Sequence, residues 1–328
     1  MDRNSGIANQ IREFYAEILK RKPNEDELKN YLVLLEGGNI HVSEIPSLMK
    51  NSDEYKILKH MEKVGRGPIK TNGITMYLNP KDKAVSYYLS RDGMWEPFET
   101  ELMKKFFNKT TNFIDIGAHI GYYTIICASI ANQGSILSFE PEEENYKILK
   151  ENVALNNFEN VIALDYAISN KNDTIDLYLS NEGNTGDNRF FPNDFREITE
   201  KRKQIKVKCI TLDSYLLQHK IEPDVIKMDI QGSEFLALQG MEKIIKSSNK
   251  LVLFTEFWPH GIIHNKGSPE EFLNTLSDNG FEIYDINQKE KKIEKKSNKQ
   301  LIENNLDPKN PEAQTDLLCL KNIKISNN

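Results

Sequence analysis

The stretch Phe113-Ile114-Asp115-Ile116-Gly117-Ala118-His119-Ile120-Gly121 reads as a buried strand that runs into small residues and then into a helix over Tyr122–Ala131. Gly117 lets the chain turn sharply, and Gly121 lets helix and strand pack closely around a ligand. Ligands of open α/β sheets bind at the carboxyl ends of the strands, so this turn marks one wall of a site. A dinucleotide-binding turn would place glycine where Asp115 stands and would aim backbone N–H groups at a pyrophosphate. Here the position holds an anion, which repels phosphate.

The same alternation extends outward. Strands are expected over Asn112–Ile116, Ser135–Glu140, Val161–Ala167, Thr174–Leu179, Ile205–Thr211, Val225–Asp229 and Lys250–Glu256. Helices are expected over Glu142–Asn156, Leu212–His219, Ser233–Lys246 and Pro269–Asn279. The last two strands, Phe281–Ile286 and Asp316–Lys321, lack a crossover helix and should pair antiparallel. The pattern defines an α/β class: a Rossmann-like, seven-stranded, mostly parallel sheet with helices on both faces. Lys289–Lys299 is lysine-rich and reads as a solvated loop, with a basic substrate clamp as the minority view.

Residues 1–62 read as a small all-α module, residues 63–111 as linker, hairpin and capping helix, and residues 112–324 as the main domain. In the module Ile11, Phe14, Tyr15, Ile18 and Leu19 recur at helical spacing, and Pro23 stops the first helix. A second helix ends at Gly37-Gly38, a third has Ser43 as its N-cap, and Ser52-Asp53-Glu54-Tyr55 opens a fourth. So few short helices make a thin core, and the module is expected to lean on the rest of the chain.

The 328 residues carry a net charge of −6, which gives no electrostatic reason to expect nucleic acid as a partner. Cys127, Cys209 and Cys319 are far apart in apolar surroundings and read as buried free thiols of a reducing compartment. The first residues are polar and charged, without a secretory apolar segment, and no apolar run reaches the ~18 residues of a membrane span. A cytoplasmic location without membrane insertion is therefore expected.

The anion at Asp115 suits the cationic ammonium of a methionine moiety. Glu140 ends the next strand, nineteen residues after Gly121, where an acidic side chain can accept both ribose hydroxyls. Its alternative role is to complement a helix dipole. At the third strand, Asp165-Tyr166-Ala167-Ile168 is placed to line an adenine, with Asp165 and Ala167 as the candidate contacts.

These residues, with several further segments, resemble the FkbM family of methyltransferases. The matching segments are Asp92-Gly93-Met94-Trp95-Glu96-Pro97-Phe98-Glu99, the glycine loop, Phe139-Glu140-Pro141, Asn184-Thr185-Gly186-Asp187-Asn188-Arg189, Ile226-Lys227-Met228-Asp229-Ile230-Gln231-Gly232-Ser233-Glu234 and Thr255-Glu256-Phe257-Trp258-Pro259. The likeness covers about residues 74–322, and the Lys227–Glu234 block is its most specific piece. His119 stands where the family commonly has asparagine. The helical module resembles a short domain of unknown function found on bacterial surface and glycan-related proteins, through Tyr15, Arg21-Lys22-Pro23 and Ser52–Tyr55.

The resemblance implies a class I methyltransferase sheet, S-adenosyl-L-methionine as cofactor, and a hydroxyl acceptor on a sugar, glycan or related natural product. Around the cofactor it places Glu96, Asp115, Gly117, Ala118, His119, Gly121, Glu140, Pro141, Asp165, Ala167 and Asp229. In-line methyl transfer needs the reactants held at near-attack distance and a group to take the hydroxyl proton. Asp229, at the end of the fourth strand, is the candidate base or orienter, with Lys227 two residues earlier on the same side. Glu234, Glu256 and His260 complete the catalytic candidates; dipole complementation is the alternative for Glu234.

Trp95, Asn184, Arg189 and Trp258 are the candidate acceptor contacts, against a packing role for Trp95 and a surface ion pair for Arg189. His260 and His264 have metal-ligand spacing, but Pro259 and Gly261 speak against a regular helix there, so no metal is expected. Asp229, Glu234 and Glu256 would suit magnesium as hard ligands and are expected to act without it. Three rivals stand beside this reading: a catalytically inactive methyltransferase-fold scaffold; an NAD-dependent oxidoreductase, which Asp115 opposes; and an N-methyltransferase, which usually shows Asn/Asp-Pro-Pro-Tyr at the fourth strand, where Met228-Asp229-Ile230-Gln231 stands instead. The module offers a surface for a homodimer or a protein partner.

Overall fold

The computed structural model describes residues 3–180, 183–192 and 202–325. Residues 3–65 belong to one compact unit, and residues 66–192 with 203–325 to another.

The smaller unit is all helix. α1 (Arg3–Phe14) widens into a π-helical turn over Tyr15–Leu19, followed by α2 (Glu25–Glu36), a 3-10 turn (Val42–Glu44), α3 (Ile45–Asn51) and α4 (Asp53–Val64). Ser43 lies inside the 3-10 turn rather than capping α3. Ile11, Tyr15, Ile18, Leu19, Ile45 and Met49 make its core. The Arg21 guanidinium pairs with Glu27 of α2 (2.6 Å) and Glu54 of α4 (2.7 Å) and lies over the Tyr15 ring at 5.0 Å. The Glu27 carboxylate also accepts the Asn24 N–H in a capping box. The scattered marks of the module's resemblance are thus one cluster that ties three segments together.

The larger unit opens with the hairpin β1 (Ile69–Thr71) and β2 (Ile74–Met76), then α5 (Val85–Asp92) and α6 (Pro97–Lys104). Its sheet-forming part runs β3 (Phe113–Ile116), α7 (Tyr122–Ile130), β4 (Ile136–Phe139), α8 (Glu143–Leu155), β5 (Val161–Leu164), β6 (Ala167–Ile168), β7 (Asp173–Leu179), β8 (Lys203–Ile210) and α9 (Leu212–His219). It continues with β9 (Val225–Met228), α10 (Glu234–Gln239), α11 (Glu242–Ser247), β10 (Leu251–Phe257), α12 (Pro259–His264), α13 (Pro269–Asp278), β11 (Phe281–Asn287), β12 (Lys292–Lys295), α14 (Asn298–Asn305) and β13 (Thr315–Lys321).

The main sheet has the order β12-β11-β13-β10-β9-β3-β4-β5. The five strands from β10 to β5 are parallel, and β13, β11 and β12 pair antiparallel. β3, β4, β9 and β10 are buried along their whole length, as strands covered by helices on both faces must be. This is the Rossmann-like, class I methyltransferase architecture, with the extra edge strand β12. No helix among the described residues is long and apolar enough to cross a membrane.

The structure departs from the sequence reading at five places. The sheet has eight strands, because the lysine-rich stretch contributes β12, whose Lys292 is flanked by Glu290 and Glu294 and whose Lys295 pairs with Glu282 of β11. The strand expected over Val161–Ala167 breaks at Asp165-Tyr166, and Ala167-Ile168 joins β8 and β7 in a separate three-stranded sheet. The strands near Thr174–Leu179 and Ile205–Thr211 therefore lie outside the main sheet. The helix expected over Ser233–Lys246 divides at Gly240-Met241, where a Cβ on Gly240 would come within 2.0 Å of the Ser169 carbonyl oxygen. Pro259 takes the first position of a short helix, where its missing N–H costs nothing, so α12 forms despite Gly261.

Candidate active site

The sheet's apolar runs are interrupted where strands end. Asp115 on β3 is the register partner of Ser138 on β4 and of Lys227 on β9, so three polar side chains lie abreast. Thr124, one turn into α7, closes this row: its hydroxyl donates to Asp115 Oδ2 (2.6 Å) and lies 2.8 Å from Ser138 Oγ. Burial pushes the Asp115 carboxyl up to about 6, against the opposing pull of the Thr124 bond.

The loop after β3 is a tight device. Gly117 has φ 83, and a Cβ there would stand 2.1 Å from the Asp229 carbonyl oxygen. Glycine is therefore required by space as well as by conformation. His119 is also left-handed (φ 53), a backbone that asparagine and histidine tolerate better than most side chains. Its ring Nε2 lies 2.7 Å from Thr185 Oγ1, tying the glycine loop to the loop from Gly183 to Phe190. Burial lowers the His119 pKa, which favours the neutral ring.

Glu140 follows β4 and is 5% exposed. One of its carboxylate oxygens accepts the His119 N–H (2.8 Å) and the other the Glu142 N–H (2.9 Å). Each oxygen keeps a lone pair for a further donor. Burial pushes this carboxyl up to about 7.

Past β9 the chain turns through Asp229, Ile230, Gln231 (φ 54) and Gly232 (φ 88). The turn is held from behind by Glu234, fully buried, whose Oε1 accepts the Ile230 N–H at 2.9 Å. Burial raises Glu234 to about 8. Lys227 Nζ lies 3.3 Å from Asp229 Oδ2, 3.9 Å from Glu99 Oε1 and 4.6 Å from the Tyr123 ring centroid. Burial opposes its charge, yet the carboxylates of Asp229, Glu99, Glu96 and Asp316 hold its pKa well above the usual lysine range. Burial likewise opposes ionisation of Asp229, but Lys227 and the Gln231 amide keep its carboxyl below the ordinary value. The Gln231 amide nitrogen donates to both Asp229 Oδ1 (2.9 Å) and Glu256 Oε1 (3.1 Å). Glu99 and Glu256 are raised well above the usual carboxylate range, chiefly by burial.

One cavity gathers most of these groups at the carboxyl ends of the parallel strands. Asp115, Gly117, Ala118, His119, Glu140, Pro141, Ala167, Lys227, Asp229, Trp95 and Asn184 line it. Glu96 reaches it through Tyr123, whose hydroxyl donates to Glu96 Oε2 at 2.8 Å. Gly121 shapes the loop from behind, against Leu149. Glu234 and Glu256 support the Asp229 turn without lining the cavity.

Four expected residues lie elsewhere. Asp165 is exposed on an outer depression with Lys206 and Lys208, because the chain breaks there and turns Tyr166 inward instead. His260 Nε2 lies 3.1 Å from the Asp307 carbonyl oxygen, on α12. Trp258 is 1% exposed and gives its indole N–H to the Pro311 carbonyl. Arg189 stacks over that indole at 4.6 Å and pairs with Asp187 at 2.5 Å. Of the stretch expected at the adenine, Tyr166, Ala167 and Ile168 do line the cavity; residue reading missed Tyr123, Thr124, Thr185 and the bridging Gln231. The signal for Thr124 was one helical turn from Gly121, on the side that faces the strand.

An α/β sheet with an acidic glycine loop, a second acidic strand end and a polar row between them defines a Rossmann-like methyltransferase. The methyltransferase FkbM domain family matches residues 115–283, and the chain belongs to that family. It is similar to the hexuronic acid methyltransferase AglP of Haloferax volcanii, with 25% identity over 165 residues, covering 50% of this chain. The match spans 60% of that relative's length. A methyltransferase FkbM from Methylobacillus flagellatus aligns with TM-score 0.39 and 11% identity, over 90% of this chain and 70% of that one. A SAM-dependent methyltransferase from Aquifex aeolicus aligns with TM-score 0.37 and 14% identity, over 69% of this chain and 91% of that one.

Proposed function

We propose that the chain transfers a methyl group from S-adenosyl-L-methionine to a hydroxyl of a sugar, glycan or related natural product. The observation that carries this reading is the pairing, in one cavity, of buried Asp115 with the forked carboxylate of Glu140. The residues fit the cofactor: Asp115 is an anion that an ammonium would neutralise, and Glu140 offers one acceptor on each oxygen to a ribose diol. Phe139, Tyr166 and Ile168 supply apolar surface for a base at the same end. When bound, the cofactor supplies an electrophilic methyl group on sulfonium. The chain's own residues bind, orient and desolvate.

At the other end Asp229 stays ionised beside Lys227, which suits it to accept a hydrogen bond from a donor hydroxyl and to fix that oxygen's direction. Trp95, whose backbone N–H donates to the Tyr122 hydroxyl (3.3 Å), lines the cavity together with residues of the loop from Gly183 to Phe190. Similarity to a hexuronic acid methyltransferase supports a sugar as the acceptor class.

Titration calorimetry with S-adenosylhomocysteine tests the reading. Asp115→Ala should weaken binding by at least about 100-fold. Asp229→Ala should bind within about threefold of the parent and lose roughly 10²–10⁴-fold in turnover. Full affinity in Asp115→Ala removes the basis for the site.

A further inference from the structure

We propose that the acceptor is a neutral or amino-bearing polyol and not a uronic acid, an inference that rests on the methyl-transfer reading above. Where the chain leaves β9 the cavity is lined by Lys227, Asp229 and Gln231, and these form the floor offered to an acceptor, beside Trp95 and Asn184. Their hydrogen bonds decide what each has left to offer. The Gln231 amide nitrogen has two hydrogens, and Asp229 Oδ1 and Glu256 Oε1 take both. The reverse amide orientation would aim a carbonyl oxygen at the ionised Asp229 carboxylate, 2.9 Å away, so chemistry fixes it. What Gln231 presents to the cavity is therefore its carbonyl oxygen, an acceptor.

Lys227 is the one lysine or arginine among the described residues that line the cavity, and it is already engaged. Asp229 and Glu99 flank its ammonium, and the Tyr123 ring covers it. Its side chain is 6% exposed, against 33% for Asp229, so a ligand meets the carboxylate first. Behind this floor Glu99 and Glu256 each keep a buried carboxyl oxygen with no hydrogen-bond partner. The end of the cavity thus presents acceptors backed by carboxyl groups. Hydroxyls and ammonium groups donate into such a floor. A uronate carboxylate would face it acceptor to acceptor, with the one lysine among the described lining residues already paired, and like-charge contact is a standard device for rejecting a wrong ligand.

The test measures binding of three matched probes, methyl glucoside, methyl glucosaminide and methyl glucuronide, to the full chain saturated with S-adenosylhomocysteine. The glucoside and the glucosaminide should each bind at least about tenfold tighter than the glucuronide. Gln231→Lys should shift the glucuronide-to-glucoside affinity ratio upward by about tenfold or more. S-adenosylhomocysteine binding is measured on the variant alongside, and Lys220 in this same chain adopts the left-handed backbone (φ 55) that position 231 requires. Equal or tighter binding of the glucuronide, or binding of none of the three, overturns the acceptor assignment alone. Failure to bind S-adenosylhomocysteine overturns the cofactor reading and the acceptor assignment with it.

Discussion

Gly117 and Glu140 show how single residues set the terms of the site. A methyl group on Gly117 would collide with the Asp229 carbonyl, and its backbone is already left-handed, so Gly117→Ala has nowhere to relax. We expect a loss of about 1–3 kcal/mol in urea unfolding, together with weakened S-adenosylhomocysteine binding, because the collision lies between the two ligand loops. Glu140 carries a pH signature. Its carboxyl is raised by burial from 4.5 to about 7 in the folded chain. The protonated form is favoured by the fold, so the stability it contributes is present below about pH 4.5 and lost as pH rises through about 7. Accepting ribose hydroxyls with both oxygens favours the ionised form, so S-adenosylhomocysteine affinity should rise between pH 6 and 8. Calorimetry across that range checks it, with Glu140→Gln expected to be weaker and flat; an unchanged slope in the variant would assign the titration to another group.

Elements position these residues through a few polar latches. Asn152 of α8 is fully buried and donates to the carbonyls of Ile120 (2.8 Å) and Tyr77 (3.1 Å), while its own oxygen accepts the Tyr77 N–H (2.6 Å). One side chain thereby locks the segment after the β1–β2 hairpin to the glycine loop. Asn152→Ala should cost roughly 2–4 kcal/mol in denaturant unfolding, since three bonds are lost and buried backbone groups are left without partners. A cost below 0.5 kcal/mol would show that water replaces the latch. The elements themselves were largely legible. β3, β4, β9 and β10 are buried, mostly apolar runs with Asp115, Glu140, Asp229 and Glu256 at or next to their ends, the pattern of buried parallel strands. The break in α10–α11 and the detour of β6 were not legible, because both depend on the close approach of Gly240 to Ser169, a contact between segments far apart in sequence.

At the scale of the whole molecule, every described residue lining the cavity belongs to the unit that begins at Arg66. A chain lacking residues 1–65 should therefore keep S-adenosylhomocysteine affinity within about threefold; complete loss, with circular dichroism showing an intact fold, would give the helical unit a part in the site. The sequence by itself determined the α/β class, the parallel order implied by alternation, and the carboxylates at the strand ends. Periodicity and strand termination are local, and a charged residue inside an apolar run announces itself. Only the tertiary structure decided which carboxylates face the cavity and which stand behind it. It turned Asp165 outward and Tyr166 inward, spent Trp258 and Arg189 on each other, and placed Gln231 between two acids. Those outcomes follow from packing and hydrogen bonding between elements distant in the chain, which no run of neighbouring residues encodes.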